Sequence, residues 1–271
     1  MVLERRVAIP AFIFDITGNL HHMFRHSLKL ILFSLFPAVS FAQGLSQPLQ
    51  IRHLTDSFFV YTTYRDFGGN LFPSNSMYLV TNRGILMFDT PWDTTQLQPL
   101  LDSMLSRHGQ KPRLVISTHY HDDRVAGVSS LDQAGVTTLS THQTRSLAAA
   151  EGNDVPAFGF ATDTTIVFGG YRIETFYPGK GHTEDNIVIW FPDHRILYGG
   201  CFVKSTQSKD LGNTADADPE EWARSVRKLI GHYPEPEFVI PGHFSWDDPQ
   251  SLKHTLKLIE RHLKQEKKER D

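Results

Sequence analysis

The stretch Ser117-Thr118-His119-Tyr120-His121-Asp122-Asp123-Arg124 follows the apolar residues 114–116, a pattern that predicts a short buried strand running into a loop. Positions two apart on a helix differ by about 200° around its axis, so His119, His121 and Asp123 cannot share one helix face. At a strand end or in a tight loop, alternate residues share a side, and these three can converge. Because imidazole nitrogens and carboxylate oxygens are zinc ligands, we predict a metal site here rather than solvated loop histidines.

Metal-binding side chains recur at three later strand ends, each beside glycines that let the backbone turn tightly: His182, Cys201 and His243. One such event would be weak evidence, but donors that all follow strands can meet at one edge of a sheet. Three imidazoles with an open fourth position suit one zinc ion, and a carboxylate, thiolate and imidazole set suits another. The two predicted sets are His119, His121 and His182, and Asp123, Cys201 and His243.

Two further residues have alternative interpretations. Cys201 is the only cysteine of the chain, so it forms no internal disulfide, and it is either a buried inert thiol or a metal thiolate. Its place after a strand in an exported protein favours the thiolate. Asp89 ends an apolar strand, where its carboxylate needs a partner. It either orients a metal ligand or caps a turn.

The N-terminal part of the chain has the pattern of a signal peptide over residues 23–42. A basic segment precedes an apolar run over residues 30–41, and Ser40 and Ala42 are small residues at a cleavage site. We predict cleavage after Ala42 and export to the periplasm; the alternative is a retained membrane anchor, which the run disfavours because a span needs about 20 apolar residues. Residues 1–22 carry no second targeting pattern and are predicted to be an upstream extension.

The mature chain, residues 43–271, is predicted to be a single domain because it contains no repeat and no Pro/Ser-rich linker. Its 229 residues include 23 Lys and Arg and 28 Asp and Glu, a net charge of −5, which argues against a nucleic-acid partner. Amphipathic patterns predict helices over residues 94–108, 141–150, 219–230 and 252–263. The charged residues 264–271 are predicted to form a frayed tail.

The segment Asp66-Phe67-Gly68-Gly69-Asn70-Leu71-Phe72-Pro73 interrupts the alternating pattern of the strands around it. Paired glycines beside aromatic residues suit a mobile hairpin or flap beside a binding cleft. The alternative is a plain hairpin whose aromatic side chains belong to the core. On the first interpretation, Phe67 and Phe72 contact the substrate.

From about residue 50 to residue 262 the chain resembles a metallo-β-lactamase, of the class B subclass with three-His and Asp-Cys-His zinc sites. The motifs occur in the family's order: Thr118 to Arg124, Gly181-His182-Thr183, Gly199 to Lys204, Leu211-Gly212-Asn213 and Pro241-Gly242-His243. The resemblance implies an αββα sandwich, which is two mixed β-sheets packed face to face with helices on the outer faces. It also implies two zinc ions per monomer at one edge of the sheets.

The resemblance further implies the chemistry. A zinc-bound hydroxide would hydrolyse the β-lactam amide bond of penicillins, cephalosporins and carbapenems and so confer antibiotic resistance. Asp123 would act in catalysis as well as in metal binding, and Asp89 and Arg124 would support the ligands. The expected partner is the small-molecule substrate alone, with no nucleic acid and no membrane after cleavage of the signal peptide. The protein is expected to be a monomer.

Lys204 and Asn213 are the predicted catalytic and substrate-binding residues. Lys204 would bind the substrate carboxylate, unless it is a solvated surface lysine, and Asn213 would support the developing oxyanion. Thioester hydrolases of the glyoxalase type form one alternative, but they have a second histidine where Arg124 stands. A non-catalytic periplasmic zinc-binding protein is the other, and it would have little use for Lys204 or Asn213.

Overall fold

The computed structural model describes residues 49–271, so the predictions for residues 1–22 and for the signal peptide at 23–42 lie outside the described residues. The strands are β1 (Gln50–Thr55), β2 (Phe58–Phe67), β3 (Asn70–Thr81), β4 (Gly84–Phe88), β5 (Pro112–Ile116), β6 (Thr137–Thr141), β7 (Phe158–Phe160), β8 (Thr164–Phe168), β9 (Tyr171–Phe176), β10 (Val188–Phe191), β11 (Ile196–Gly200) and β12 (Phe238–Pro241). The helices are α1 (Leu97–His108), α2 (Asp122–Val125), α3 (Val128–Gln133), α4 (His142–Glu151), α5 (Pro219–His232) and α6 (Ser251–Arg270), and a 3-10 turn, Thr94–Gln96, precedes α1.

The first sheet contains β1 to β7 in chain order. Its first four strands are antiparallel hairpin neighbours, and β4 to β7 are parallel, with helices in the connections. Gly68 and Gly69 join β2 to β3 with φ angles of 64° and 91°, which glycine adopts without steric cost. The pairing of β2 with β3 continues to Phe67–Asn70. Residues 66–73 therefore form a regular hairpin, although their sequence interrupts the alternating pattern.

The second sheet has the order β12-β11-β10-β9-β8. All its neighbours are antiparallel except β11 and β12, which are parallel. The turn between β8 and β9 is Gly169-Gly170, with positive φ at both residues, as a tight hairpin requires. Both sheets are therefore mixed.

Apolar side chains form three layers. One layer lies between the two sheets and includes Phe58, Phe88 and Phe191. The outer face of the first sheet packs against α1, and the outer face of the second packs against α5 and α6. The predicted sandwich of two mixed sheets with outer helices is confirmed. Within residues 49–271, none of the helices combines the length and apolar character needed to cross a bilayer.

The C-terminal helix differs from the expectation. The prediction of a frayed tail over residues 264–271 is wrong, because α6 continues to Arg270. Glu266 lies 3.4 Å from His262 and 3.3 Å from Arg270, each four residues away, and such pairs support an exposed helix end. The charge run is thus a solvated helical extension.

The topology brings several strand ends to one edge. Parallel strands present their carboxyl ends at the same edge of a sheet, and the segments that follow β4, β5, β11 and β12 meet there. Asp89 follows β4 and residues 117–124 follow β5. Cys201 follows β11, and His243 lies two residues beyond β12.

Candidate metal centre

Three histidines from two loops form the first donor set. His119 and His121 come from the loop after β5, and His182 comes from the loop before β10. One ring nitrogen from each lies within 4.8 Å of the other two. The ring centroids are 4.9 to 5.1 Å apart, and the rings stand nearly perpendicular to one another. This edge-on arrangement can direct three lone pairs at one point.

The ring nitrogens in this set have lone pairs available for a metal. His119 Nε2 and His182 Nδ1 are buried and have no hydrogen-bond partner among the described residues. Burial, and then nearby positive or ionisable side chains, hold the pKa values of His119 and His182 well below the usual range. Both rings are therefore neutral near pH 7, which is the form that binds a metal.

His121 is oriented by a carboxylate. Its Nε2 lies 3.1 Å from Oδ2 of Asp216, in the exposed loop before α5. A carboxylate that accepts from one ring nitrogen fixes the tautomer and leaves the other nitrogen for a metal. The contact therefore assigns Nδ1 of His121 to the donor set.

The second donor set is Asp123, Cys201 and His243. Cys201 Sγ lies 3.2 Å from Asp123 Oδ2 and 3.2 Å from His243 Nε2, and the latter two atoms are 3.3 Å apart. His119 Nε2 is 3.8 Å from Asp123 Oδ1, so the two sets adjoin. All six predicted donors thus lie at one sheet edge.

His243 is held by the hairpin strand β3. Its Nδ1 lies 2.8 Å from the carbonyl oxygen of Pro73, an acceptor only, so Nδ1 carries the proton. The lone pair is then on Nε2, which faces Cys201 and Asp123. Burial lowers the pKa of His243 and favours the same neutral state.

Arg124 is fully buried beneath the second set. Its Nη2 lies 3.0 Å from Asp123 Oδ2 and donates to Cys201 Sγ at 2.9 Å and to the Gly242 carbonyl at 3.0 Å. A Cβ on Gly242 would lie 2.7 Å from this Nη2 and from Cys201 N, so the close approach requires glycine. One guanidinium therefore connects the loops after β5, β11 and β12.

The charges of this set follow from burial and from Arg124. Burial alone would raise the pKa of Asp123, but Arg124 and the histidines hold it well below its usual range, so the carboxylate is ionised. Burial raises the pKa of Cys201, against the opposing effect of Arg124, and the metal-free thiol keeps its proton. A bound metal would remove that proton because thiolate is the ligand form.

Asp89 supports the histidine loop from below. It accepts from the backbone N–H of Thr118 at 2.7 Å, from the Thr118 hydroxyl at 2.9 Å and from Tyr198 Oη at 2.5 Å. Thr118 directly precedes His119, so these bonds fix the start of the ligand loop. Burial raises the pKa of Asp89 to about 6, although Arg124, 3.5 Å away, and the hydrogen bonds oppose the shift.

A cavity of about 400 Å³ opens beside the second donor set. Lys204, His243, Phe72 and Phe244 are among the residues that line it. Lys204 is 9% exposed, and its Nζ lies 5.2 Å from the ring centroid of Trp222. Phe72 packs on His243 at 5.2 Å between ring centroids, whereas Phe67 at the hairpin end is 49% exposed.

Asn213 is the one predicted site residue whose described contacts stay within its own loop. It is exposed, and its Oδ1 accepts from the backbone N–H of Ala215 at 3.1 Å. Within residues 49–271, none of its hydrogen bonds is with the six donors. Its neighbour Gly212 lines the cavity.

Sequence reasoning did not identify several supporting residues. Asn75 accepts from Arg124 through its carbonyl at 2.8 Å, and its side chain donates to the carbonyls of Pro241 and Phe244. Asn75 lies in the polar run 74–76, next to apolar residues of the same strand. Polar residues at that place in the sequence could have indicated a supporting role for Asn75. Tyr198 and Asp216 offered no comparable signal, because their partners are distant in sequence.

Residues 69–243 match the model of the metallo-beta-lactamase superfamily. The chain is similar to the metallo-beta-lactamase type 2 of Elizabethkingia meningoseptica, with 36% identity over 219 residues, 81% of this chain and 88% of that protein. It is 40% identical over 211 residues to the metallo-beta-lactamase type 2 of Bacillus cereus, which covers 78% of this chain and 82% of that protein.

The chain is also similar to solved structures of metallo-beta-lactamases. A metallo-beta-lactamase from Pontibacter korlensis superimposes with a TM-score of 0.75 and 36% identity, over 78% of this chain and 99% of that chain. The metallo-beta-lactamase FIM-1 from Pseudomonas aeruginosa, in its mono-zinc form, superimposes with a TM-score of 0.76 and 28% identity, over 82% and 99% of the two chains.

Proposed function

Because the chain belongs to the metallo-β-lactamase superfamily, we propose that it is a zinc-dependent hydrolase of the β-lactam amide bond. Its substrates on this proposal are penicillins, cephalosporins and carbapenems, and its activity confers antibiotic resistance. The observation that carries the proposal is the meeting of two different donor sets, three imidazoles beside an Asp-Cys-His group whose His243 lines a cavity. The curated relatives that it resembles bear the name metallo-beta-lactamase.

The donors fit two zinc ions. His119, His121 and His182 would hold one, and the residues Asp123, Cys201 and His243 would hold the other. The unpartnered ring nitrogens of the first set and the thiol of the second are chemically suited to zinc. When bound, zinc polarises a carbonyl and lowers the pKa of a bound water to about 7.

Lys204 would orient the substrate through its carboxylate. Lys204 and His243 line the same cavity, and the Lys204 ammonium lies over the aromatic face of Trp222. A contact to a group that does not react contributes equally in the ground state and the transition state. Lys204→Ala should therefore raise KM and leave kcat nearly unchanged, as steady-state kinetics on several substrates would reveal. An unchanged KM would exclude this role.

Asn213 and the hairpin aromatics would complete the site. Since Asn213 Oδ1 already accepts from Ala215, its amide N–H groups remain available to donate to the carbonyl oxygen as negative charge develops. Phe72 lines the cavity, and Phe67 offers an exposed apolar face at the hairpin end. Both would contact apolar substituents of the substrate.

The test is hydrolysis by the purified mature protein. With two zinc ions bound, it should hydrolyse a chromogenic cephalosporin, a penicillin and a carbapenem, and a chelator should abolish turnover. His142→Ala, a change outside the donor sets, is the matched control for His182→Ala and should retain activity. Turnover that survives complete metal removal would contradict the proposal, as would inactivity with two zincs. Including a thioester substrate distinguishes the glyoxalase-type alternative.

Export to the periplasm belongs to the same proposal. The pattern at residues 23–42 would direct export, and cleavage would follow Ala42. N-terminal sequencing of protein from a periplasmic extract should begin at Gln43. A start before residue 23 would contradict the cleavage prediction.

A further inference from the structure

An arginine on the hairpin reaches the loop that carries the metal-binding histidines. Arg65 lies near the end of β2, and its Nη1 is 2.6 Å from Oδ2 of Asp122. Asp122 is the residue between His121 and Asp123. The side chains of Arg65 and Asp122 are 41% and 48% exposed, so this pair is at the surface, between the hairpin and the metal centre.

The same guanidinium also contacts two aromatic rings. Its central carbon lies 5.0 Å from the ring centroid of Trp92 and 5.7 Å from that of Phe67. Both distances are within the range of cation–π attraction. Trp92 comes from the segment after β4, so Arg65 joins three separate segments: the hairpin end, residues 89–93 and the ligand loop.

These rings belong to a continuous aromatic wall. Phe67 packs on Trp92 at 5.3 Å between ring centroids, and Phe72 packs on Trp92 at 6.2 Å and on His243 at 5.2 Å. Phe72 also lines the cavity. The position of the wall relative to the two donor sets therefore depends on where the hairpin end is held.

Apart from this aromatic packing, few contacts hold that end. Tyr64 is tied to the side chain of Gln96 through both backbone groups, and Pro73 is tied to His243. Beyond these two residues, the hydrogen bonds of segment 65–72 in the described chain stay within the hairpin, apart from that of Arg65. Gly68 and Gly69 at the turn add no side chain that could pack.

We propose that Arg65 is a positioning residue that latches the hairpin to the metal-ligand loop and so sets the affinity for lactams with bulky apolar substituents. This inference rests on the proposed function. An exposed ion pair is weak and is screened by salt, so this contact restrains the hairpin without fixing it in one position. Its loss should change substrate binding without changing the chemistry at the metal centre.

The first test measures the hairpin itself, without substrate. Amide hydrogen exchange over residues 65–72 of the metal-free protein should be several-fold faster in Arg65→Met, which keeps the apolar stem, and in Asp122→Asn. The double variant should exchange no faster than Arg65→Met alone, because both changes break one interaction. Exchange at the wild-type rate in Arg65→Met, or additive effects in the double variant, would overturn the proposal.

The second test separates binding from chemistry. For a lactam with a large apolar substituent, Arg65→Met should raise KM about two- to five-fold with kcat unchanged, and for a lactam with a small substituent neither should change. Wild-type KM for the large substrate should rise more steeply with ionic strength than KM of Arg65→Met, because screening of the Lys204 contact is common to both proteins. Arg65→Lys, which keeps the positive charge, should have a KM for the large substrate between those of the wild type and Arg65→Met. Equal losses of kcat on all substrates would overturn the proposal.

Two controls keep the tests distinct. Arg83→Met removes an exposed arginine that lies 5.7 Å from the ring centroid of Phe168, away from the site, and should change neither exchange nor KM. Metal counting must give the same value for Asp122→Asn as for the wild type. If the wild type hydrolysed no β-lactam, the proposed function would fall, while the exchange measurement would still decide whether Arg65 holds the hairpin.

Discussion

The two donor sets are built differently although they share one sheet edge. His119, His121 and His182 contact one another edge-on, with no hydrogen bond among the three rings. Asp123, Cys201 and His243 are linked to one another within 3.3 Å and to the buried Arg124. The three rings of the first set are close together but not bonded to one another. The side chains of the second set are already joined by hydrogen bonds and ion pairs in the metal-free structure.

The difference extends to how each set is supported. The backbone near His119 is fixed by Asp89, and His121 is fixed by the half-exposed Asp216. In the second set, the Pro73 carbonyl fixes His243, and the guanidinium of Arg124 contacts Asp123, Cys201 and the Gly242 carbonyl. Support for the first set is therefore divided between separate carboxylates, whereas one guanidinium supports most of the second.

The largest expected effect is on stability. Arg124→Ala should lower the free energy of unfolding of the metal-free protein by about 3–5 kcal/mol, because it leaves the buried Asp89 and Asp123 without a counter-charge. Denaturant unfolding measures this loss. Arg83→Ala at an exposed turn is the control and should cost less than about 0.5 kcal/mol. A loss below about 1 kcal/mol for Arg124→Ala would mean that the second set is not held by this network.

The next effect is on metal occupancy. Cys201→Ser should weaken the second site by more than about 100-fold, since loss of a ligand exceeds the effect of losing a supporting contact, and should leave the three-histidine site filled. Metal counting after dialysis should give one zinc. His182→Ala is the mirror variant and should weaken the other site. Two tightly held zinc ions in the Ser variant would refute the thiolate assignment.

The third effect is a difference in pH dependence. The pKa of Cys201 is raised by burial, so the metal-free thiol holds a proton across neutral pH and must release it when zinc binds. Affinity of the second site should then rise about tenfold per pH unit. Burial holds the pKa values of His119 and His182 well below the usual range, so these two rings are already neutral near pH 7 and the affinity of their site should vary less with pH. Competition with a chromophoric chelator from pH 6 to 8 measures how the zinc affinity of each site changes with pH. Equal pH dependence at the two sites would contradict this prediction.

The smallest effect concerns Asp216. Asp216→Asn should lower zinc affinity of the first site about tenfold, because an amide orients the His121 ring with less charge than a carboxylate does. The second site should be unaffected. Asp193→Asn, at an exposed turn, is the matched control. If both sites weakened together, the two sets would share support that their contacts do not indicate.

Residue types and strand patterns predicted the six candidate donors, which the structure brings close together, whereas the sandwich was implied by the resemblance to a known family. Each donor follows an apolar run, and the edge at which such runs end is determined by hydrophobic periodicity and parallel pairing. The predictions about the supporting residues were less complete. Asp89 had two interpretations from sequence, because its partners Thr118 and Tyr198 lie 29 and 109 residues away.

Local composition was less informative than the contacts in two segments. The residues around Phe67 break the alternating pattern in sequence, yet both glycines adopt left-handed φ in a tight turn and the ladder continues on each side, as a hairpin requires. The charged residues after Leu263 suggested fraying, but pairs four residues apart along α6 support a helix there. Composition alone does not distinguish a solvated helix from a solvated coil.

The hydrogen bonds of Asn75 have a consequence for the order of folding. Its backbone N–H donates to the Gly242 carbonyl, and its side chain donates to Pro241 and Phe244, so β3 is joined to a segment about 170 residues later. Contacts this distant in sequence carry a large chain-closure cost and form slowly. The Asp-Cys-His pocket can therefore close only when nearly the whole chain has been assembled. Metal capture by all three of these donors would then mark the end of folding, and a chain that stopped short of Gly242 would lack His243 and the hydrogen bonds that join β3 to this segment.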